Sequence, residues 1–296
     1  MIVITTPTGA IGHTVLEQLV SRGEPLRVIA RDPKKIPAAL RERVDVVEGS
    51  HGDPAVVDRA LRGAEALFWL IPPDFGTRDV LATYVEFSKP ACAAIRRHGV
   101  KRVVAVSALG RGTPHEKHAG LVTAALAMVD ELARTGAAVR ELALPSFMDN
   151  ILRQVEPIRS AGVFALPISG DLKVPTCSTF DIAEVAVKWL VDRSWNGFES
   201  VPVLGPEDLS FNEMAQIVSE VLKKPVRFQE VPLEAYKAQL IKFGASEAMG
   251  QAVIEMMDAK NKGLDNGVQR TAAASSPTSF RQWCSQVLAP AILAAR

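Results

Sequence analysis

Tyrosine, cysteine and net charge are what this 296-residue chain has little of: two tyrosines, three cysteines and a formal charge of +1 at pH 7. A charge so near zero gives no reason to expect nucleic acid or an anionic membrane as partner. No apolar run approaches the roughly 20 residues of a membrane span. The first β-like run starts at Ile2, which leaves no room for a leader peptide ahead of it. Cys92, Cys177 and Cys284 are odd in number, far apart and without metal-ligand spacing. They read as buried thiols in a reducing cytoplasm, and no metal site is expected. What the chain does have is apolar residues, 48% against 23% charged, enough for a substantial core.

The first fifteen residues, MIVITTPTGAIGHTV, organise the rest. Ile2, Val3 and Ile4 form a short β-branched run of the kind a buried parallel strand requires. Residues 5–12 make a tight turn, and Val15, Leu16, Leu19 and Val20 then recur at helical spacing up to Gly23. Strand, glycine turn and helix predict the first unit of a dinucleotide-binding fold. Gly9 and Gly12 place no side chain where a pyrophosphate approaches the backbone, and Thr6, Thr8 and Ile11 share their turn. The pattern is T-G-x-x-G-x-x-V, not the full G-x-G-x-x-G, so its position after a strand and before an amphipathic helix carries the reading.

Residues 26–30 (LRVIA) read as the second strand, ending in Arg31. An NAD site usually places Asp or Glu there on the ribose 2′-hydroxyl. A cation, with Lys34 and Lys35 close behind, instead suits a 2′-phosphate. NADP(H) is therefore the expected cofactor, and Asp32 keeps NAD(H) open. Further strands are predicted at 44–47, 66–71, 103–106 and 139–144, with helices at 54–61, 79–97 and 123–134 between them. This alternation predicts an α/β, Rossmann-type doubly wound parallel sheet. Ile71, Pro72, Ser107 and Pro145 fall at strand ends, where ligands of such sheets bind, and Phe75 follows as a lid residue.

Beyond Pro145 the rhythm changes. Helices are expected at 181–191, 213–222 (capped by Ser210 or Asn212) and within 233–261, and strands at 201–204 and 226–231. The division is residues 1–150 as the dinucleotide-binding unit and 151–296 as a smaller C-terminal α/β lobe over the substrate, interleaved with it. Residues 271–279, rich in Ser, Thr and Ala, read as a surface loop.

Several of these segments together resemble the NmrA-like, atypical short-chain dehydrogenase/reductase family. The carriers are TPTGAIG, RVIARDPKK, GVKRVVAVSALG, LPSFMDNIL, STFDIAEVA and LGPEDLSFNEMAQIVSEVLKKPVRFQEVP. The resemblance implies an NADP-preferring Rossmann unit, a small C-terminal lobe and a substrate in the cleft between them. It also implies that Ser107 occupies the superfamily's catalytic serine position. Phe147, Met148 and Asn150 would border nicotinamide and substrate.

The departures bear on function. The superfamily's Tyr and Lys, four residues apart on one helix face, align with Leu121 and Ala125. The Asp that often touches adenine aligns with Ser50. His115, Lys117 and His118 are the nearest ionisable replacements, and His118 is the candidate proton donor. Without a phenol acid, a reductase would favour aromatic or electron-poor acceptors: a quinone, an azo compound or an imine. The alternative is a non-catalytic NADP(H)-sensing regulator. A homodimer is compatible with either.

Overall fold

The computed structural model describes residues 1–295. In chain order the first half runs β1 (Ile2–Thr5), α1 (Ala10–Ser21), β2 (Leu26–Ala30), α2 (Ala38–Arg41), β3 (Asp45–Glu48), α3 (Pro54–Leu61), β4 (Ala66–Trp69), α4 (Val80–His98), β5 (Arg102–Val106), α5 (Leu121–Ala133) and β6 (Ala138–Ala143). The second half runs β7 (Ser146–Phe147), α6 (Val155–Ala161), β8 (Val163–Leu166), β9 (Val174–Cys177), α7 (Thr179–Val191), β10 (Phe198–Pro202), β11 (Asp208–Leu209), α8 (Phe211–Leu222), β12 (Arg227–Glu230), α9 (Leu233–Lys242), α10 (Glu247–Asn261), α11 (Phe280–Trp283) and α12 (Ala289–Ala294). Among the described residues, no helix is long and apolar enough to cross a membrane.

Seven strands form one parallel sheet in the order β10-β6-β5-β4-β1-β2-β3. The order reverses between β1 and β4, and a ligand crevice opens at such a reversal beyond the strands' C-terminal ends. Burial on both faces explains why these strands read as continuous apolar runs: Val3, Ile4, Leu67, Phe68, Val103 and Val104 are all fully buried. Each such side chain contributes about 1.5–3 kcal/mol by leaving water. Past the ladder, the Thr5 hydroxyl donates to Phe68 O at 3.0 Å and accepts from Leu70 N at 3.0 Å, fastening β1 to β4 beside the crevice.

One face of the sheet is covered by α3, α4 and α5, against which α9 and α10 also pack. The other is covered by α1 and α7. Hence residue 150 is not a boundary between separate bodies. The strand predicted at 201–204 begins at Phe198 and completes the main sheet beside β6, while α7 lays Ile182, Ala183 and Val187 into the core shared with α1. The remaining second-half elements form the lobe, with a core of Ile151, Phe164, Phe211, Met214, Phe280 and Trp283 and two small sheets, β11-β9-β7 and β12-β8.

Local signals act as the residue types suggest. Gly99 ends α4 in the left-handed conformation, φ 66°, with its N–H on Ile95 O. Ser210, not Asn212, caps α8: its hydroxyl accepts from Glu213 N while the Glu213 carboxylate accepts from Ser210 N at 2.8 Å. Residues 271–279 are a loop with its outer residues exposed, as expected, but anchored at two buried points, Ala274 and Ser276. Leu204 N donates to Ala274 O at 2.7 Å, Ser276 N donates to Leu204 O at 2.6 Å, and Thr278 Oγ1 donates to the buried Asp181 at 2.7 Å. The small side chains of Ala274 and Ser276 let the chain press against β10's exit at these two points.

Candidate functional site

The crevice begins at the glycine turn. Thr6 adopts φ 51°, the left-handed region that a β-branched residue rarely enters. It directly precedes Pro7, which stands where the G-x-G-x-x-G fingerprint has its first, turn-making glycine. Its Oγ1 is buried and unpartnered. Gly9 is exposed and caps α1 in an extended conformation, with no side-chain hydrogen bond to the free N–H groups of the first turn. A Cβ on Gly9 would meet only Thr6 O, at 3.6 Å. On Gly12 it would fall 2.1 Å from Thr6 O, inside the protein backbone. The two glycines therefore do different work: Gly9 keeps the crevice floor open, whereas Gly12 lets α1 pack on the turn. Thr8 is exposed at the rim, and Ile11 is turned into the core with Val15 and Leu16.

Arg31, Lys34 and Lys35 stand exposed beyond β2. Asp32 Oδ1 accepts from Lys34 N at 3.1 Å and so caps the short turn Pro33–Lys35. This carboxylate serves its own backbone, and Arg31, Lys34 and Lys35 stand as three exposed cations at the end of β2. An open glycine floor, uncapped helix N–H groups, an orphaned threonine hydroxyl and this cation group fit a phosphorylated dinucleotide.

After β3, Ser50 Oγ accepts from Gly52 N at 3.2 Å, and Asp53 Oδ1 caps α3 through Ala55 N at 2.8 Å. His51, between them, is 7% exposed and sits edge-on to Trp69 and Phe87, with centroids 5.3 and 4.7 Å away. Burial pushes its pKa down to about 4, and the Arg31 charge adds to the effect. At the end of β4, Ile71 is 9% exposed, while Pro72 and Phe75 are exposed. Phe75 O accepts from Ser246 N at 2.8 Å, and Ser246 Oγ donates to Thr77 O, so the loop after β4 is laced to the turn between α9 and α10.

Ser107, 6% exposed at the end of β5, donates to Glu141 Oε1 at 2.9 Å. Glu141 lies on β6 with no exposure and also receives Arg111. That pairing raises the pKa of Arg111. α5 carries neither tyrosine nor lysine; Leu121 and Ala125 are half-buried against the α4 side of the core. His118 is exposed on the turn Glu116–His118 ahead of α5.

Beyond β6, Pro145 is buried and Phe147 is half-buried, paired with Cys177 across β7 and β9. Met148 departs from expectation: at 1% exposure it packs with Ile151 and Ile158 in the lobe core and presents no surface to a ligand. Asn150 is exposed, and its neighbour Asp149 ties α7 down by accepting from Thr179 N and Oγ1 at 3.1 and 2.8 Å.

The structure thus gathers Thr6, Thr8, Gly9, Arg31, Lys35, Ile71, Pro72 and Ser107 along the C-terminal edge of one sheet. Sequence reasoning missed His51, Arg111 and Glu141. The available signal was Glu141 itself, a carboxylate inside the otherwise buried strand AVRELA.

The NmrA-like family model matches residues 1–284. The chain is similar to the (4-alkanoyl-5-oxo-2,5-dihydrofuran-3-yl)methyl phosphate reductase of Streptomyces griseus, 32% identical over 81% of this chain and 80% of that protein. It is 27% identical to the NAD(P)H azoreductase of Xenophilus azovorans over 86% of each. In fold it is similar to the triphenylmethane reductase of Citrobacter sp. complexed with NADP(H), with TM-score 0.80, 21% identity and coverage of 97% of this chain and 99% of that one. A match along nearly the whole length, joined to the geometry above, places this chain in the NmrA-like family.

Proposed function

We propose that this chain is an NADPH-dependent reductase delivering a hydride to a small electron-poor acceptor of the quinone, azo or imine kind. The observation that carries the reading is the phosphate cradle: uncapped α1 behind an open Gly9, with Arg31, Lys34 and Lys35 free beyond β2 while Asp32 is held by Lys34 N. A dinucleotide bound there supplies the hydride. The residues of the chain bind its phosphates, present the ring side at the ends of β4, β5 and β6, and close the Phe75 loop over the crevice. The relatives support the chemistry: one reduces an acylated dihydrofuranone phosphate and another is an azoreductase.

The acceptor class follows from what α5 lacks. Hydride addition to a plain ketone leaves an alkoxide that needs a proton, and this helix has no Tyr–Lys pair to give one. A quinone or azo compound spreads the new charge over a conjugated system and takes its proton from water or from His118. The same lack supports the second reading, an NADP(H) sensor that does not turn over. A spectrophotometric NADPH-oxidation screen over quinones, azo dyes, imines and saturated ketones separates the two. Turnover with the conjugated acceptors supports the reductase; tight NADPH binding with no turnover supports the sensor.

A further inference from the structure

Ser107 and Glu141 belong to neighbouring strands, and Ser107 N continues their ladder onto Leu142 O at 3.0 Å. Three donor groups converge on the fully buried Glu141 carboxylate. Ser107 Oγ lies 2.9 Å and Arg111 Nη2 3.0 Å from Oε1, and Arg111 Nε lies 2.7 Å from Oε2. Arg111 is itself fixed, with Nη1 on Asp130 Oδ1 at 2.9 Å and its guanidinium 5.4 Å from the centroid of the Phe198 ring. A carboxylate gripped by both arms of a guanidinium is ionised and only accepts. The single proton of the Ser107 hydroxyl therefore points at Glu141. Whatever approaches Ser107 from the crevice meets lone pairs.

We infer that Glu141 is a specificity-determining positioning residue: by holding the Ser107 proton it turns the end of β5 from a hydrogen-bond donor into an acceptor, and so disfavours plain carbonyl substrates. This rests on the reductase reading above. A ketone oxygen also only accepts, so it finds no partner at Ser107, and the alkoxide formed by hydride addition finds none either. A hydride brings two electrons and one hydrogen. The reduced ketone then needs a proton at oxygen at once, whereas a reduced quinone delocalises its charge and is protonated later by water. An acceptor-only Ser107 also suits groups that carry their own N–H, such as an iminium nitrogen or the carboxamide of a bound nicotinamide.

The test compares kcat/KM for a saturated ketone and for a quinone, with NADPH, in the wild type and in Glu141→Gln. The glutamine is neutral and brings an N–H that competes with Arg111 Nη2 at the Oε1 position, so its hold on the hydroxyl is weakened and the proton is freed to turn towards the crevice. The ketone-to-quinone ratio should rise by about tenfold or more, the scale of one added polar contact to a substrate. Adding Ser107→Ala to Glu141→Gln should return the ratio to the wild-type value. A purely structural role for Glu141 would lower both activities together and leave the ratio unmoved. Because a lone change could leave the Arg111 charge unmatched, Glu141→Leu with Arg111→Met serves as the second variant, removing both charges at once. It should raise the ratio in the same direction. A ratio unchanged in both variants, with quinone turnover intact in the wild type, overturns this inference alone. Wild-type protein that binds NADPH yet consumes none with quinone, dye or imine overturns the reductase reading, and this inference with it.

Discussion

The His51 Nε2 atom sits 3.1 Å from the carbonyl oxygen of Leu70, and that contact fixes which nitrogen of a buried imidazole carries hydrogen. A carbonyl only accepts, so Nε2 carries a hydrogen; burial leaves the ring neutral near pH 7, outweighing that contact, which by itself raises the pKa. Trp69 and Phe87 close around it and keep water out, which is why its pKa falls to about 4. The contact also joins the loop after β3 to the residue that precedes Ile71 and Pro72, so the wall behind the Arg31 end of the crevice depends on it.

A pH dependence of stability follows. The unfolded chain takes up this proton near pH 6.5, whereas the folded chain takes it up only near pH 4. Stability from this group is thus full above pH 6.5, falls as pH drops to about 4, and levels off below. The loss between about pH 7 and about pH 5 should be roughly 2 kcal/mol. Urea unfolding midpoints at the two pH values measure it. His51→Gln keeps a donor for Leu70 O but cannot titrate, so it should remove most of that loss and leave the part due to carboxylates.

The glycine turn gives a second expectation, with the two glycines separated. Gly12→Ala should lower stability, because the added carbon collides with Thr6 O and the turn must open; a core clash of this kind costs about 1–3 kcal/mol. Gly9→Val should leave the melting temperature nearly unchanged, since its Cβ faces open space, yet weaken NADPH binding by about tenfold or more through blocked approach. Thermal melts with and without NADPH decide it. Equal losses of stability in both variants would give Gly9 a purely structural role.

How much of this was legible depended on whether the cause was local. The strand–turn–helix opening, the left-handed stop at Gly99 and the Ser210–Glu213 box are set within a few residues, and the sequence carries them. The return of β10 to the main sheet was not readable from residues 198–202, because an edge strand is defined by its partner β6, some sixty residues earlier. Residues 271–279 form the loop their composition suits, but its anchoring on Leu204 and Asp181 was not readable, for the same reason. At the site, cations at the end of β2 could be placed by their offset from the glycines. The capture of Ser107 by a Glu141 that Arg111 grips could not, since it joins the loop after β5 to β6, two segments that only the fold brings together. Met148 was misplaced because an apolar residue at a strand exit suits a cleft or a core equally well, and Ile151 and Ile158 claim it.

Arg31 supplies a test of cofactor choice. With Asp32 capping its own turn, the Arg31 guanidinium is the first free charge past β2. Arg31→Ala should weaken NADPH by about 1.5–3 kcal/mol, the scale of a charge-assisted contact, and leave NADH nearly untouched. Fluorescence titration with both nucleotides reads the difference directly. Equal weakening of the two would mean that Arg31 supports the crevice without reading the phosphate.

The last expectation concerns the two tyrosines. Tyr84, on α4, is 9% exposed among the side chains between the sheet and α5, and burial pushes its pKa up to about 12. Tyr236, on α9, is half-buried against the same cluster, and its pKa is raised as well. Both phenols hold their protons more tightly than free tyrosine, and neither has a lysine on α5 to loosen it. Tyr84→Phe and Tyr236→Phe should each leave quinone turnover within about twofold of wild type, because positioned proton donation is worth about 10²–10⁴-fold where it operates. NADPH deuterated stereospecifically at the transferred position should meanwhile give a primary isotope effect if the chemical step limits the rate. A loss in the hundredfold range on removing either hydroxyl would place that phenol at the reacting atoms. The chain would then use a tyrosine acid from α4 or α9, in place of the α5 position that the superfamily uses.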